Sequence, residues 1–430
     1  MRKSMIISLF LIAGLFAQEK LTLQECLEIA RKNNPDMVMS GQNQKISVNQ
    51  LSQAWGNLMP TIGAGFGATF GSQAKREYMV GGVLQVQPES TSESYGAGFS
   101  LSQPIFNSAL YSGYQLAKNN VLQAELSTNQ TRQYLTYEVT EKFYSYLKAQ
   151  ELLTVYQKAH DNSLEQLKKT EEMHRLGQVA QKDVLKAKVR EGGDRLNIIN
   201  QKQVLANALT NLKSAMGIAA DAREIEVYED NYVPAKFVTM DAAIEHCFEN
   251  NTSLRLLKEQ KQNAEIQYKM AKSSYLPTLS GSFSYNRGGN QIDRIYSEFD
   301  QWWSRSLSFD LGFSIFEGFK RKKDVQIKQI QYNIYDEQIR KEKITLTSTL
   351  DQLVRNLNTY SEMLEINEIN LNSAKEDLRL AQEMYKLNSA TFLEVLDAQS
   401  ALTSAESDRV RIKYDMKIIE VQLQLAMGTL

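Results

Sequence analysis

The stretch Arg305 to Phe316, RSLSFDLGFSIF, alternates without a fault. Leu307, Phe309, Leu311, Phe313 and Ile315 share one parity, and Ser306, Ser308, Asp310, Gly312 and Ser314 the other. A period of two is the signature of a strand. One unbroken apolar face opposite a small, polar one suits a strand between lipid and water, although a strand of a soluble sandwich alternates in the same way. Three more stretches repeat the pattern. Thr61 to Phe70 sets Ile62, Ala64, Phe66, Ala68 and Phe70 against Thr61, Gly63, Gly65, Gly67 and Thr69. Tyr95 to Leu101 puts Tyr95, Ala97, Phe99 and Leu101 on one side. Thr278 to Tyr285 puts Leu279, Phe283 and Tyr285 opposite Thr278, Ser280, Ser282 and Ser284, with Gly281 a gap in the apolar face. No fifth stretch of this kind is found. Each is near the ~9–11 residues that a tilted strand needs to cross a bilayer. Four strands cannot close a membrane barrel, since such barrels begin at about eight. An open edge in lipid leaves backbone groups unpaired at several kcal/mol each, so several chains must pool their strands. The strand count alone leaves two, three or four copies open.

Composition narrows the class further. The chain has 430 residues and a formal net charge of -1, with a mean hydropathy of -0.40. Beyond its first residues it holds no long apolar helix, which excludes a helical membrane protein. A near-neutral charge gives no reason to expect nucleic acid. Met1 to Ala17 reads as a secretory signal, with Arg2 and Lys3 ahead of an apolar run from Met5 to Phe16, so the mature chain is expected to begin near Gln18. Cys26 and Cys247 fall on expected helices and read as two half-buried free thiols rather than a disulfide.

In chain order, Thr22 to Asn33 reads as a capped helix ending before Asn34-Pro35, and a second helix runs from about Asp36 to Asn57. Met59-Pro60-Thr61 breaks that helix and starts the first strand. Gly71 to Ser94 reads as a polar external loop, and Pro104 ends the second strand. Residues 107–176 contain no proline, which leaves room for a very long helix. The same plan then returns. Thr239 to Asn251 answers Thr22 to Asn34, and Leu276-Pro277-Thr278 answers Met59-Pro60-Thr61, both 217 residues on. Pro104-Ile105-Phe106 is echoed by Ser314-Ile315-Phe316, Met173 to Gly177 by Met384 to Asn388, and Ala215-Met216-Gly217 by Ala426-Met427-Gly428. The chain therefore reads as a tandem duplication, with a first repeat over 18–217, a linker over 218–236 that includes Pro234, and a second repeat over 237–430.

The helices report on their own packing. Leu346, Leu350, Leu353, Leu357, Tyr360, Leu364, Leu371, Ala374, Leu378, Ala381 and Tyr385 keep a four-three spacing, interrupted once by Asn367. A period of 3.5 sustained that far means a left-handed coiled coil. Leu135, Val139, Tyr146, Ala149, Leu153, Tyr156 and Leu167 form a looser version in the first half. At ~1.5 Å per residue the first long helix reaches on the order of 100 Å.

Together these residues resemble the TolC-like outer-membrane channels of Gram-negative bacteria, which serve drug efflux and type I secretion. The resemblance runs from Leu21-Thr22-Leu23 through Asn34-Pro35, the two Pro-Thr strand starts and Gln103-Pro104-Ile105-Phe106 to the turn Arg175-Leu-Gly-Gln-Val-Ala-Gln-Lys-Asp183. It implies a mixed α and β fold in which long antiparallel coiled-coil helices form an α-barrel. Four transmembrane β-strands per chain would complete a 12-stranded barrel in a homotrimer. The implied partners are a periplasmic adaptor protein, an inner-membrane transporter and outer-membrane lipid. The implied location is the outer membrane with a long periplasmic extension.

The two helix turns far from the strands are where function is expected. Gly177 and Asn388 occupy equivalent positions, and both residue types readily take left-handed backbone angles. The resemblance implies that Tyr385 matches a gating tyrosine, Glu394 and Asp397 acidic ring positions, and Asp183 a partner acid on the neighbouring hairpin. Ala390 stands where some members carry an arginine, so a salt-bridged lock is not expected there. The residues themselves also allow plainer roles, with the acids as solvated charges at helix starts and Tyr385 as a heptad residue. Leu176, Gly177, Gln178, Val179 and Ala180, with Leu387, Asn388, Ser389 and Ala390, are the expected adaptor contacts. Trp302 and Trp303, just ahead of the last strand, fit a membrane-interface belt. Lys320 to Lys323, after it, read as a solvated run near lipid headgroups.

Enzyme chemistry and cofactors find no support. His160, His174 and His246 are scattered, and no HExxH, GxSxG or P-loop pattern is present. The competing class is a periplasmic or secreted coiled-coil scaffold whose strands form a soluble sheet.

Overall fold

A computed structural model describes residues 19–219, 225–228, 239–387 and 389–430. The expected signal sequence, most of the linker with Pro234, and Asn388 lie outside the described residues. In order, the elements are β1 (Glu19–Leu21), α1 (Leu23–Asn33), α2 (Pro35–Gly56), β2 (Thr61–Gln73), β3 (Arg76–Val80), β4 (Val83–Gln87), β5 (Ser90–Phe106), α3 (Ser108–Arg175) and α4 (Gln181–Ala215). There follow β6 (Ile225–Val227), α5 (Met240–Asn250), α6 (Thr252–Ser273), β7 (Thr278–Gly289), β8 (Trp303–Gly312), α7 (Lys320–Lys386) and α8 (Phe392–Met427). No described helix is long and apolar enough to cross a membrane.

The chain forms two compact units, and the duplication does not separate them. One comprises Asn43–Glu125 and Leu256–Ile339; the other comprises Met1–Gln42, Leu126–Arg255 and Arg340–Leu430. Each unit draws on both halves of the sequence, because α3 and α7 each supply residues to both.

In the first unit β2, β5, β7 and β8 pair in that order, antiparallel throughout. The register carries the alternation from strand to strand. Ile62, Leu101, Phe283 and Leu307 form one cross-strand row, and Ala64, Phe99, Tyr285 and Arg305 the next. On the opposite face the rows are Thr61, Ser102, Ser282, Ser308 and Gly63, Ser100, Ser284, Ser306. A slip of one residue at any pair would mix these faces. The apolar face has no cover in the single chain, since Ile62, Phe66, Phe70, Leu307, Phe309 and Leu311 are all largely exposed.

Three expectations about the strands are corrected. Pro104 does not end the second strand: β5 runs on to Phe106, its pairing with β7 shifting register between Pro104 and Phe106. Gly71 to Ser94 is not a loop: β2 continues to Gln73, β5 starts at Ser90, and between them β3 and β4 form a hairpin. Gly81 and Gly82 close it at φ 58 and 79, the left-handed angles that a two-residue hairpin turn requires. Val80-Gly81-Gly82-Val83 was the signal, set between strands of only five residues each. At the other end β8 stops at Gly312 rather than running to Phe316. Its partner β7 begins at Thr278, directly after Pro277, so nothing is left to pair with Phe313 and beyond. Arg321 instead donates through Nη2 to the carbonyl of Ser314 at 2.6 Å and through Nη1 to that of Ser274 at 3.1 Å.

In the second unit the two halves repeat one another down to single hydrogen bonds. Asn34, which caps the end of α1, donates its amide to the carbonyl of Ala215, and Asn251 after α5 donates to Ala426, both at 3.0 Å. Gly217 and Gly428 follow with φ 71 and 76, and a Cβ at either would collide with the backbone of Asn33 or Asn250. Thr22 and Glu25 close the expected capping box on α1. The core beneath is Cys26, Ala30, Val139, Phe143, Leu212 and Met216, all fully or almost fully buried, and both cysteines are free thiols. The long stripe of α7 is inward as its spacing predicts, with Leu346, Leu350, Leu353, Leu371 and Leu378 buried. In α3 Leu152 rather than Leu153 is the more buried neighbour of Ala149.

Candidate functional site

Both hairpin tips are built by the same capping chemistry. At the end of α3, Gln178 N–H donates to the carbonyl of Met173 and Gly177 N–H to that of His174, both at 2.9 Å. This pair of bonds needs a residue at φ 74, which Gly177 supplies. At the end of α7, Ser389 N–H donates to Met384 at 2.8 Å, the equivalent bond. Leu176 and Leu387 are exposed, Gln178, Ala180 and Ser389 likewise, and Val179 and Ala390 half-buried. His174 Nδ1 meets the carbonyl of Val179 at 3.0 Å across the first turn.

The next helices start differently. Thr391 caps α8, accepting from the N–H of Glu394 at 3.3 Å, while the Glu394 carboxylate accepts from the Thr391 hydroxyl at 2.9 Å. Ala180 at the start of α4 has no side chain to do this. Glu394 thus has a capping task, and Asp397, one turn on, is exposed on the same face of α8. Opposite them Phe392, Val395 and Ala398 are buried.

Tyr385 and Asp183 are brought together across the two hairpins. Leu167, Val184, Ala187 and Phe392 form one buried cluster with Tyr385 and Leu396 against it. The ring of Tyr385 lies 5.8 Å from that of Phe392. Burial pushes the Tyr385 hydroxyl up from its ordinary pKa of 10.0, and the charge of Asp183 pushes it further. Among the described residues the buried hydroxyl has no hydrogen-bond partner.

A neighbouring contact was not visible in the sequence. Arg190 of α4 donates through Nη1 to the hydroxyl of Ser400 on α8, and through Nε to Asp194 at 3.0 Å. Asp194 is itself buried. In the sequence, Arg190 and Asp194 look like any helical pair four residues apart; only packing supplies Ser400. Farther along, Lys158 pairs with Glu406 at 2.8 Å and Lys148 with Asp415 at 2.7 Å, joining α3 to α8.

In the other unit Trp302 and Trp303 are exposed, at the end of the sheet away from the helix junctions. Trp303 stacks on Tyr285 with centroids 6.4 Å apart. Among the described residues no group of His, Cys, Asp or Glu is placed to hold a metal ion.

The model of the outer membrane efflux protein family matches residues 26–218 and 243–429. The outer membrane protein TolC of Escherichia coli is 23% identical over 424 residues, covering 95% of this chain and 82% of its own. The proteases secretion protein PrtF of Dickeya chrysanthemi is 19% identical, covering 100% of this chain and 93% of its own. The crystal structure of the Campylobacter jejuni CmeC outer membrane channel has a TM-score of 0.82 at 16% identity, covering 95% of this chain and 85% of that one. The last likeness bears on the fold.

Proposed function

This chain belongs to the outer membrane efflux protein family, a family of outer-membrane channels rather than enzymes, and from that premise we propose that three copies form one export channel. They pool their sheets into a 12-stranded barrel, three times the four strands of one chain. Their coiled-coil helices close a periplasmic tunnel. The observation that carries this reading is the open sheet. One face is apolar across the four strands and bare on the outer two, and among the described residues both of these, β2 and β8, are edges without a further partner strand. In lipid such edges are tolerated only when another chain completes the ladder. The inner face of such a barrel, mostly serine and glycine with Thr61 and Asn286 among them, has the small polar lining of a wet pore.

The tunnel serves as the outer component of a tripartite system, receiving substrate from an inner-membrane transporter through a periplasmic adaptor. The adaptor meets the tips at Leu176, Gly177, Gln178, Val179, Ala180 and at Leu387, Asn388, Ser389 and Ala390. The aperture lies at Asp183, Tyr385, Glu394 and Asp397, and rings of like charge there attract cations. Purified protein should migrate as a heat-modifiable trimer and conduct in planar bilayers; a detergent-free monomer that conducts nothing refutes the channel. Multivalent cations added from the tip side should block conductance, and Glu394→Ala with Asp397→Ala should abolish the block. Undiminished block in that double variant removes both acids from the aperture.

A further inference from the structure

The loop joining β7 to β8 builds a cationic cluster for which export has no evident use. Arg287 follows Phe283 and Tyr285 on the apolar face and stands opposite Trp303 in the ladder. It is only 6% exposed. Its Nη2 donates to the carbonyls of Arg294, Ser297 and Glu298 at 3.1, 2.6 and 3.0 Å, and Phe299 lies 4.7 Å over its guanidinium. Nε and Nη1 have no acceptor among the described residues. Arg294 packs against Gly289, where a Cβ would collide with it, and lies 3.9 Å over the ring of Trp302. Arg305 shares the face of Trp303 and lies 5.5 Å over that ring. Glu298 at φ 50 and Trp302 at φ 59 hold left-handed angles that such side chains rarely adopt, so the loop is constrained where it forms the cluster.

Three guanidinium groups thus each lie over an aromatic ring of this loop or of the start of β8, and among the described residues none is paired with a carboxylate. The carboxylate of Glu298 in the loop accepts from the Trp302 indole at 2.9 Å instead. A buried cation without a counter-ion is ordinarily avoided. The missing anion therefore comes from outside the chain. Directly along the same face lie Phe283 and Leu307, with Phe309 beyond, which suit acyl chains, and aromatic residues of this kind mark the headgroup level of a membrane. Guanidinium groups recognise phosphate by paired, charge-assisted hydrogen bonds.

We propose that Arg294 and Arg305, beside the uncompensated charge of Arg287, bind the phosphate of an acylated lipid in the outer leaflet. This rests on the barrel reading above, because only a closed barrel turns this face to lipid. The test compares the purified wild type with Arg294→Ala/Arg305→Ala and with Arg294→Lys/Arg305→Lys, each assayed for heat-modifiable trimer. Each is incubated in detergent with diphosphorylated lipid A, with its dephosphorylated form and with inorganic phosphate, and bound lipid is read by native mass spectrometry. The wild type should retain the phosphorylated lipid about tenfold better than the alanine pair, as one lost charge-assisted contact implies. The lysine pair should keep part of that retention, and inorganic phosphate should not displace the lipid. Equal retention by wild type and alanine pair, or of the dephosphorylated form, overturns the site. Full displacement by inorganic phosphate overturns the lipid as its ligand. A wild type that remains monomeric strikes the barrel and the site together, whereas a trimer without lipid preference strikes the site alone.

Discussion

Among single residues, Tyr385 and Glu420 yield the sharpest expectations. The Tyr385 hydroxyl is buried with no partner among the described residues, so Tyr385→Phe removes an unsatisfied group and should raise thermal stability, by about 1 kcal/mol. If instead the hydroxyl closes the aperture against Asp183, the same change raises conductance; bilayer recording separates packing from gating. Glu420 of α8 is buried beside Tyr144, and burial raises its pKa from 4.5 to about 7. Its neighbour Lys417 is pulled down by the same burial. Between those two pH values the folded chain holds a proton that the unfolded chain has released. Stability therefore falls as pH rises through this window and is fully present only below it. The apparent melting temperature should drop from about pH 5 to about pH 8, and Glu420→Gln should flatten that slope; a slope unchanged by the substitution would show that the carboxyl is solvated. Of the residues expected at the tips, the sequence revealed types and spacings well. It did not reveal that Glu394 caps α8, because a capping box looks the same as an acid poised for a pore until the hydrogen bonds are drawn.

At the scale of elements, long helices explain why contacts between hairpins matter. Arg190 and Ser400 tie α4 to α8 close to the tips, where Ala390 offers no guanidinium. Arg190→Ala should loosen the two hairpins and raise single-channel conductance several-fold, without loss of trimer, while leaving Asp194 buried and unpaired at a cost of about 1–3 kcal/mol. Conductance equal to wild type would reduce the contact to packing. The two glycine turns next to the repeated asparagines admit no Cβ, so Gly217→Ala or Gly428→Ala should destabilise by more than about 1 kcal/mol, read as earlier thermal unfolding. The heptad of α7, the capping box of α1 and the glycine turn after α3 were legible because each follows from spacing within one helix. The β3–β4 hairpin was not, since its strands are only five residues each and the Gly-Gly between them reads as loop until the two are seen to meet across it.

For the whole molecule, the decisive quantity is the bare apolar face. Phe309, mid-strand on β8, faces the side taken here as lipid. Phe309→Arg should cost about 2–4 kcal/mol per copy in the bilayer and abolish assembly, whereas Ser308→Arg on the opposite face should spare the trimer and alter conductance. Equal assembly of the two variants would mean that the faces are not lipid and water. What the sequence determined by itself was everything carried by period and repetition: four alternating strands, coiled-coil helices, a duplicated plan and a sheet too small to close. Those properties are local, because side-chain direction in a strand or helix follows from residue number alone. The tertiary structure decided which strands neighbour one another, that two units each draw on both halves, that Arg190 finds Ser400, and that Arg287, Arg294 and Arg305 gather without an acid. Each depends on atoms brought close by the path of the chain, and no periodicity encodes a meeting between residues so far apart along it.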